Sequence, residues 1–210
     1  MSVFLGHEDP RGIVLFAPGA GGDPSRYERL LAATNEAGFI VASPEHELAE
    51  SYPDEVVRER AAALRAPLDS IAREDLPVVA AGHSLGGCAA LCLAGGRPVN
   101  RQGQAFEVPR EPRVSRVVLL APALDWFRGP DSLTEVTVPL TALVGAQDDV
   151  TPAATAELLR AAPAQLDLRT YDGVGHFDFM SPLPAGKDPV VASHDAFYET
   201  FLADFVAALG

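Results

Sequence analysis

The chain has 210 residues, 48% of them hydrophobic, so it can bury one large core without disulfides or a structural metal. Its formal net charge of -13 argues against binding to nucleic acid or to anionic membranes, because both need a basic footprint. The first residues do not resemble a signal peptide, and no apolar run approaches the length of a membrane span. We therefore expect a single cytoplasmic domain over residues 1–210, with no nucleic-acid or membrane partner and with its oligomeric state left open.

The amino-terminal part of the chain has the pattern of a strand followed by a helix. Residues 13–17 form an apolar β-type run, and residues 3–5 are expected to pair with it in a short hairpin. The spacing of residues 25–37 predicts a helix, for which Asp23 or Ser25 can supply the cap.

The same alternation continues to the end of the chain. Further strands are predicted, in chain order, at residues 39–42, 77–81, 114–120, 140–145 and 166–171. Helices are predicted between and after them, at residues 54–73, 85–94, 153–161 and 194–209. Pro67 should kink or divide the first of these helices. This order predicts an α/β fold, in which a mostly parallel sheet carries helices on both faces.

Ser84 lies in the segment GHSLGG at residues 82–87, between a buried strand and a very apolar helix. A G-x-S-x-G sequence in this setting is typical of a nucleophile elbow, a tight turn that holds the serine in a strained backbone conformation. Gly82 and Gly86 are needed because side chains there would collide with the neighbouring strand and helix. The Leu85 N–H, at the start of the helix, can stabilise an oxyanion that develops beside the serine.

Together with three other segments, this elbow resembles the α/β-hydrolase superfamily. The other segments are FAPGAGG at residues 16–22, GAQD at residues 145–148 and GHFDF at residues 175–179. The chain looks most like serine esterases related to dienelactone hydrolases and platelet-activating-factor acetylhydrolases. Because dienelactone hydrolases carry a cysteine nucleophile, Ser84 favours ordinary esters as substrates. The resemblance implies an α/β-hydrolase fold, and residues 122–139 are too few to form a cap domain.

His176 is the predicted catalytic base. A serine hydroxyl needs a positioned base, and the superfamily order is nucleophile, then acid, then histidine. Of the five histidines, three come too early in the chain to fit that order, and His194 is more typical of a helix surface. His176 follows the last strand in a glycine-rich turn, from which an imidazole can reach Ser84.

Asp148 is the predicted acid that orients the histidine. It follows a strand in the segment GAQD, which matches the pattern of the superfamily. Asp125 and Asp149 are alternatives, since the first follows the preceding strand and the second can instead cap a helix. Asp178 lies too close in sequence to His176 to be a good candidate.

The loop PGAGG at residues 18–22 should supply the second oxyanion donor. By position the Ala20 N–H is predicted, with Gly19 and Gly21 as alternatives. The same glycines partly resemble a dinucleotide-binding fingerprint, but the third glycine of that motif is missing.

Loops at the carboxyl ends of the strands should line an open substrate site. The predicted substrate contacts there are Gly19, His46, Trp126 and Phe177, although surface or core roles are alternatives for the last three. The loop at residues 97–113 follows the elbow helix, and we expect it at the opposite end of the sheet.

The sequence therefore predicts a serine hydrolase that cleaves small-molecule carboxylic esters through Ser84, Asp148 and His176, with an acyl-enzyme intermediate. No metal and no organic cofactor are expected. Thioester hydrolysis and acyl transfer are alternatives, because the same triad supports them. A non-catalytic binding protein is a further alternative, but its signature would be a missing triad member, and none is missing.

Overall fold

The computed structural model describes residues 1–49 and 51–210 as a sheet covered by helices on both faces. Within these residues seven strands form one sheet, in the order β1-β3-β2-β4-β5-β6-β7. The strands are β1 (Val3–Leu5), β2 (Gly12–Ala17), β3 (Phe39–Ser43), β4 (Val78–His83), β5 (Val114–Leu120), β6 (Leu140–Gly145) and β7 (Leu166–Tyr171). Every neighbouring pair is parallel except β1 with β3. The predicted α/β fold class is confirmed.

Two layers of helices bury the apolar faces of the sheet. The α-helices are α1 (Glu28–Glu36), α2 (Asp54–Arg65), α3 (Leu85–Leu93) and α4 (His194–Ala208). Shorter 3₁₀ helices cover Pro24–Tyr27, Ala66–Asp69, Asp125–Phe127, Ala153–Ala161 and His176–Phe179. One core cluster joins α2, α3 and the 3₁₀ helix at 153–161 to one face, and a second joins α1 and α4 to the other. Because β2 and β4 are buried on both faces, their sequences are apolar without alternation.

The predicted hairpin of residues 3–5 with residues 13–17 is wrong. The strand β1 pairs instead with β3, antiparallel, with Val3 opposite Ser43. The reason is that both edges of β2 are already occupied, by β3 on one side and β4 on the other. The free edge of β3 is therefore the place where a short amino-terminal strand can add to the sheet.

The helix predicted over residues 54–73 is divided, as Pro67 led us to expect. The regular helix α2 ends at Arg65, and a 3₁₀ turn over Ala66–Asp69 follows with Pro67 in its first turn. A proline ring lacks the N–H that would continue the α-helical hydrogen bonds.

The elbow between β4 and α3 packs tightly against its neighbours. Ser84 has φ 53° and ψ −119°, a left-handed backbone conformation that is costly for a residue with a side chain. An added Cβ at Gly86 would lie 2.0 Å from the Ala17 carbonyl oxygen, and one at Gly82 would lie 2.4 Å from the Gly86 carbonyl carbon. These two glycines therefore allow β4, α3 and the end of β2 to meet.

We expect Gly86→Ala to lower the free energy of unfolding by about 2–4 kcal/mol, because backbone atoms must move to admit the methyl group. In an unhindered helix the same change would stabilise by about 1 kcal/mol. Gly6→Ala is the control, since an added Cβ at Gly6 meets nothing within 4 Å. Urea unfolding measures both variants, and a Gly86→Ala protein as stable as the control would contradict the tight packing.

Candidate active site

The carboxyl end of the sheet holds Ser84 between two cavities, of about 820 Å³ and about 440 Å³. Ser84 follows β4 directly, and 8% of the residue is exposed. Both cavities are lined by Ser84, Ala20, Tyr52 and Val150, so they reach the same serine from two sides.

His176 and Asp148 form a buried pair beside the smaller cavity. His176 begins the 3₁₀ helix after β7, and its Nδ1 lies 2.8 Å from Asp148 Oδ2. With Nδ1 turned to the carboxylate, the other ring nitrogen, Nε2, has no hydrogen-bond partner within the described residues, and His176 and Ser84 both line the smaller cavity. Within the described residues no hydrogen bond joins the Ser84 hydroxyl to His176, and such contacts commonly tighten only when substrate binds.

Asp148 is held as an ionised acceptor by the turn that follows it. Its Oδ1 accepts the N–H groups of Val150, at 2.9 Å, and Thr151, at 2.7 Å. The Thr151 hydroxyl lies 3.0 Å from Asp148 Oδ2 and 2.9 Å from the Ala121 carbonyl oxygen. Burial alone would raise the pKa of Asp148, but the His176 hydrogen bond and charge and the Thr151 hydrogen bonds outweigh it and lower the pKa. An ionised Asp148 can stabilise an imidazolium.

Within the described residues, none of the other candidate acids forms a hydrogen bond with the His176 ring. Asp125 lines the larger cavity, but it is exposed and pairs with an arginine three residues further on, at 2.7 Å. Asp149 is exposed, and Asp178 accepts backbone N–H groups of its own loop. Among the described carboxylates, Asp148 is the one hydrogen-bonded to the imidazole.

Two backbone N–H groups beside Ser84, those of Leu85 and Ala20, donate to no acceptor within the described part of the chain. The Gly19 N–H differs, because it donates to the Tyr27 hydroxyl at 3.2 Å. The contact of Gly86 with the end of β2 brings the start of α3 and the loop after β2 together. The arrangement can offer both free donors to one oxyanion, with the Gly21 N–H as the remaining alternative.

His83, which the chain order excluded as a base, connects the two sides of the site. Its ring is fully buried, with Nδ1 2.8 Å from the Tyr27 hydroxyl and Nε2 3.1 Å from the His176 carbonyl oxygen. Burial, and next the charge of His176, lower the pKa of His83 well below its usual value, so the ring is neutral. Because a carbonyl can only accept, Nε2 carries the proton and Nδ1 accepts from Tyr27. In the sequence, the only sign of this role was the position of His83 directly before Ser84.

Three of the four predicted substrate contacts line a cavity. Gly19 and Phe177 line the smaller one, and Trp126 lines the larger. His46 lines neither, because it lies behind the loop at residues 18–22, where its N–H donates to the Gly22 carbonyl at 2.9 Å. Burial, and next a nearby positive charge, lower the pKa of His46 to about 4. The structure therefore places His46 as a support of this loop and not as a substrate contact.

The loop at residues 97–113 reaches the site, so its expected position at the opposite end of the sheet is wrong. Residues 99–102 line the larger cavity, and the Val99 N–H donates to the Trp126 carbonyl at 2.7 Å. The 9 residues of α3 span only about 14 Å. The six residues that follow, 94–99, can span about 20 Å when extended. The chain beyond α3 is therefore long enough to return to the site.

The mouth of the site is open. Between β5 and β6 the chain forms one short 3₁₀ helix, Asp125–Phe127, so no cap domain is inserted there. Leu48, Tyr52 and Val150 are exposed apolar side chains at the rim, with exposed fractions of 64%, 51% and 52%. The loop after β3, which is among the loops expected to line the site, includes residue 50, and this residue lies outside the described residues.

The described residues contain no cluster of three or more histidine, cysteine, aspartate or glutamate side chains that could hold a metal ion. None of the helices formed by the described residues combines the length and the hydropathy that a membrane span requires.

Comparison with solved structures finds similar folds among esterases. A thermophilic esterase of the planctomycete Thermogutta terrifontis with butyrate bound has a TM-score of 0.67 and 15% identity, over 100% of this chain and 89% of that one. Esterase 2 of the same species, phosphoramylated by tabun, has a TM-score of 0.64 and 17% identity, over 96% and 84%. A predicted CIB-like hydrolase of Thermoplasma acidophilum has a TM-score of 0.66 and 14% identity, over 98% and 91%. No curated protein matches the sequence significantly.

At such identities the structural likeness shows the fold alone. The sequence profile of the alpha/beta hydrolase family matches residues 14–140, which is more than half of the chain and includes the elbow at Ser84. The chain belongs to the alpha/beta hydrolase family.

Proposed function

We propose that the chain is a single-domain serine carboxylesterase with Ser84 as nucleophile, His176 as base and Asp148 as acid. The observation that carries this proposal is the His176 Nδ1 to Asp148 Oδ2 contact of 2.8 Å beside the cavity that Ser84 lines. A nucleophile on an elbow, a base within the same cavity and a carboxylate that orients the base are the parts that acyl transfer through serine needs.

In the proposed reaction, Ser84 Oγ attacks the ester carbonyl carbon while His176 Nε2 takes the hydroxyl proton. The N–H groups of Leu85 and Ala20 donate to the oxygen anion of the tetrahedral intermediate. His176 then gives its proton to the leaving alcohol, and the acyl group stays on Ser84. Water attacks this acyl-enzyme with His176 again as base, and the carboxylic acid leaves. Side chains and backbone N–H groups supply every step, so the proposed reaction uses no cofactor.

The proposed substrate is a small ester with freedom in both its acyl and its alcohol part. Two cavities flank Ser84, with Trp126 in the larger and Gly19 and Phe177 in the smaller, and no cap is inserted between β5 and β6. The butyrate bound to the Thermogutta terrifontis esterase supports a short acyl group. Within the family we propose a place near the dienelactone hydrolase-like and acetylhydrolase-like serine esterases, and a cytoplasmic location.

Ser84→Ala should lower kcat for p-nitrophenyl esters by about a thousandfold or more, because removal of a triad nucleophile leaves only binding and the oxyanion donors. The assay compares wild type and variant on esters from acetate to long acyl chains. Wild-type turnover that survives in the variant would contradict the assignment of Ser84. A wild type inactive on every ester would contradict the esterase proposal, and acyl-thioesters would be the next substrates.

Asp148→Asn should lower kcat by at least about a hundredfold, because an amide cannot hold the histidine tautomer or stabilise its cation. Asp125→Asn is the matched control, since Asp125 lines the larger cavity but has no contact with His176. Steady-state kinetics on one p-nitrophenyl ester compares the two variants. A large loss in Asp125→Asn with a small loss in Asp148→Asn would reverse the assignment.

A further inference from the structure

Arg60 is a buried arginine of α2 that the proposed reaction leaves without a role. It is 3% exposed and lies on the inner face of the helix, among Val57, Ala61 and Leu64. Among the described residues no carboxylate forms an ion pair with it. Because burying a guanidinium is costly, an arginine at such a position needs strong hydrogen-bonding partners.

All the acceptors that the structure gives Arg60 are backbone carbonyls, and two belong to the loop after β2. Nη1 donates to the Gly19 carbonyl at 3.0 Å, and Nη2 donates to the carbonyls of Ala20 and Glu47, each at 3.0 Å. The planar, forked guanidinium can hold several acceptors in fixed directions, which an ammonium group cannot do. Arg60 therefore ties α2 to the loop from which an oxyanion donor is expected.

The contact with Gly19 fixes the direction of the Ala20 N–H. The Gly19 carbonyl and the Ala20 N–H belong to the same peptide group, and in a trans peptide they point in opposite directions. With the carbonyl turned towards Arg60, the N–H points away from α2, and Ala20 lines both cavities at Ser84. If the peptide turned over, it would present a carbonyl oxygen where the oxyanion forms.

A contact from outside the loop adds restraint where the sequence of the loop supplies little. Residues 18–22 include Gly19, Gly21 and Gly22, and glycine restricts its backbone less than any other residue. The Ala49 N–H, at 3.0 Å, holds the Ala20 carbonyl as well. The Gly19 carbonyl also accepts the Gly22 N–H of its own turn, at 2.9 Å, so Arg60 is the contact that ties this carbonyl to α2. A charged donor on that carbonyl also polarises the peptide, which strengthens the N–H as a donor.

We propose that Arg60 is a positioning residue for the oxyanion hole, which holds the Gly19–Ala20 peptide so that the Ala20 N–H faces the oxygen anion formed at Ser84. This inference rests on the proposed esterase function. Arg60 itself does not touch substrate, so its effect is on the transition state and not on substrate binding.

The test compares Arg60→Met and Arg60→Lys with Arg65→Met, a matched change at a half-buried arginine of the same helix that pairs with Asp69 and Glu111 and not with the loop after β2. Methionine keeps the apolar bulk without donors, and lysine keeps the charge without the fork. Both Arg60 variants should lose about tenfold to a hundredfold in kcat, with KM changed by less than about threefold, because the donor is misplaced but not removed. Arg65→Met should match wild type.

Two further readouts separate positioning from a general loss of structure. A trifluoromethyl ketone forms a tetrahedral adduct with an active-site serine, so its affinity should fall by about the same factor as kcat/KM. Amide hydrogen exchange over residues 18–23 should speed up in the Arg60 variants, while exchange in β5 and β6 stays as in wild type. Arg60→Lys provides a second folded variant if Arg60→Met does not fold.

A folded Arg60 variant with wild-type kcat would overturn the proposal, and so would a loss confined to KM or an unchanged ketone affinity. Failure of the proposed function has a different signature. A wild-type protein without ester hydrolysis contradicts both proposals, whereas an active wild type with unaffected Arg60 variants contradicts only this one.

Discussion

At Gly86 the first turn of α3 comes so close to the end of β2 that an added Cβ would stand 2.0 Å from the Ala17 carbonyl oxygen. The rest of the site depends on this approach. It sets the loop after β2 beside Ser84, and β5 fixes the serine from the other side, since the Ser84 N–H donates to the Leu120 carbonyl at 2.9 Å. These contacts with β2 and β5 hold Ser84 in its strained backbone conformation.

Around the elbow, buried polar contacts connect the parts that the proposed chemistry needs. The Gly19 N–H donates to Tyr27, Tyr27 donates to His83, and His83 donates to the carbonyl of His176. The loop after β2 is therefore connected on one side to the histidine loop and on the other, through Arg60, to α2. Polar groups fixed in this way before substrate arrives do not have to reorganise when charge develops, which is the main source of electrostatic stabilisation in enzymes.

Local patterns in the sequence were sufficient for most of the regular elements, and the resemblance to the superfamily selected the candidate base and acid. Predicted strands at residues 114–120, 140–145 and 166–171 have the observed bounds, because apolar runs between turn residues leave little choice. The glycine-rich segments around Ser84, Asp148 and His176 lie at strand ends, and parallel strands bring such ends to one edge of the sheet.

Other features depend on contacts between distant segments, and the sequence carried little sign of them. The pairing of β1 with β3 follows from which sheet edge is free, and the return of residues 97–113 to the site follows from loop length. The support that Arg60 and His46 give to the loop after β2 depends on backbone carbonyls, which every residue has. For Arg60, the one sign in the sequence was an arginine at a position that the spacing of α2 places among its apolar residues.

The most direct test of the account is peptide mass spectrometry of the protein after reaction with a fluorophosphonate, which labels activated serines. One adduct per chain is expected, on Ser84, and esterase activity should fall in proportion to labelling. An unlabelled Ser84 in folded protein, or an adduct elsewhere with activity retained, would contradict the proposal that the elbow of this alpha/beta hydrolase presents an activated nucleophile.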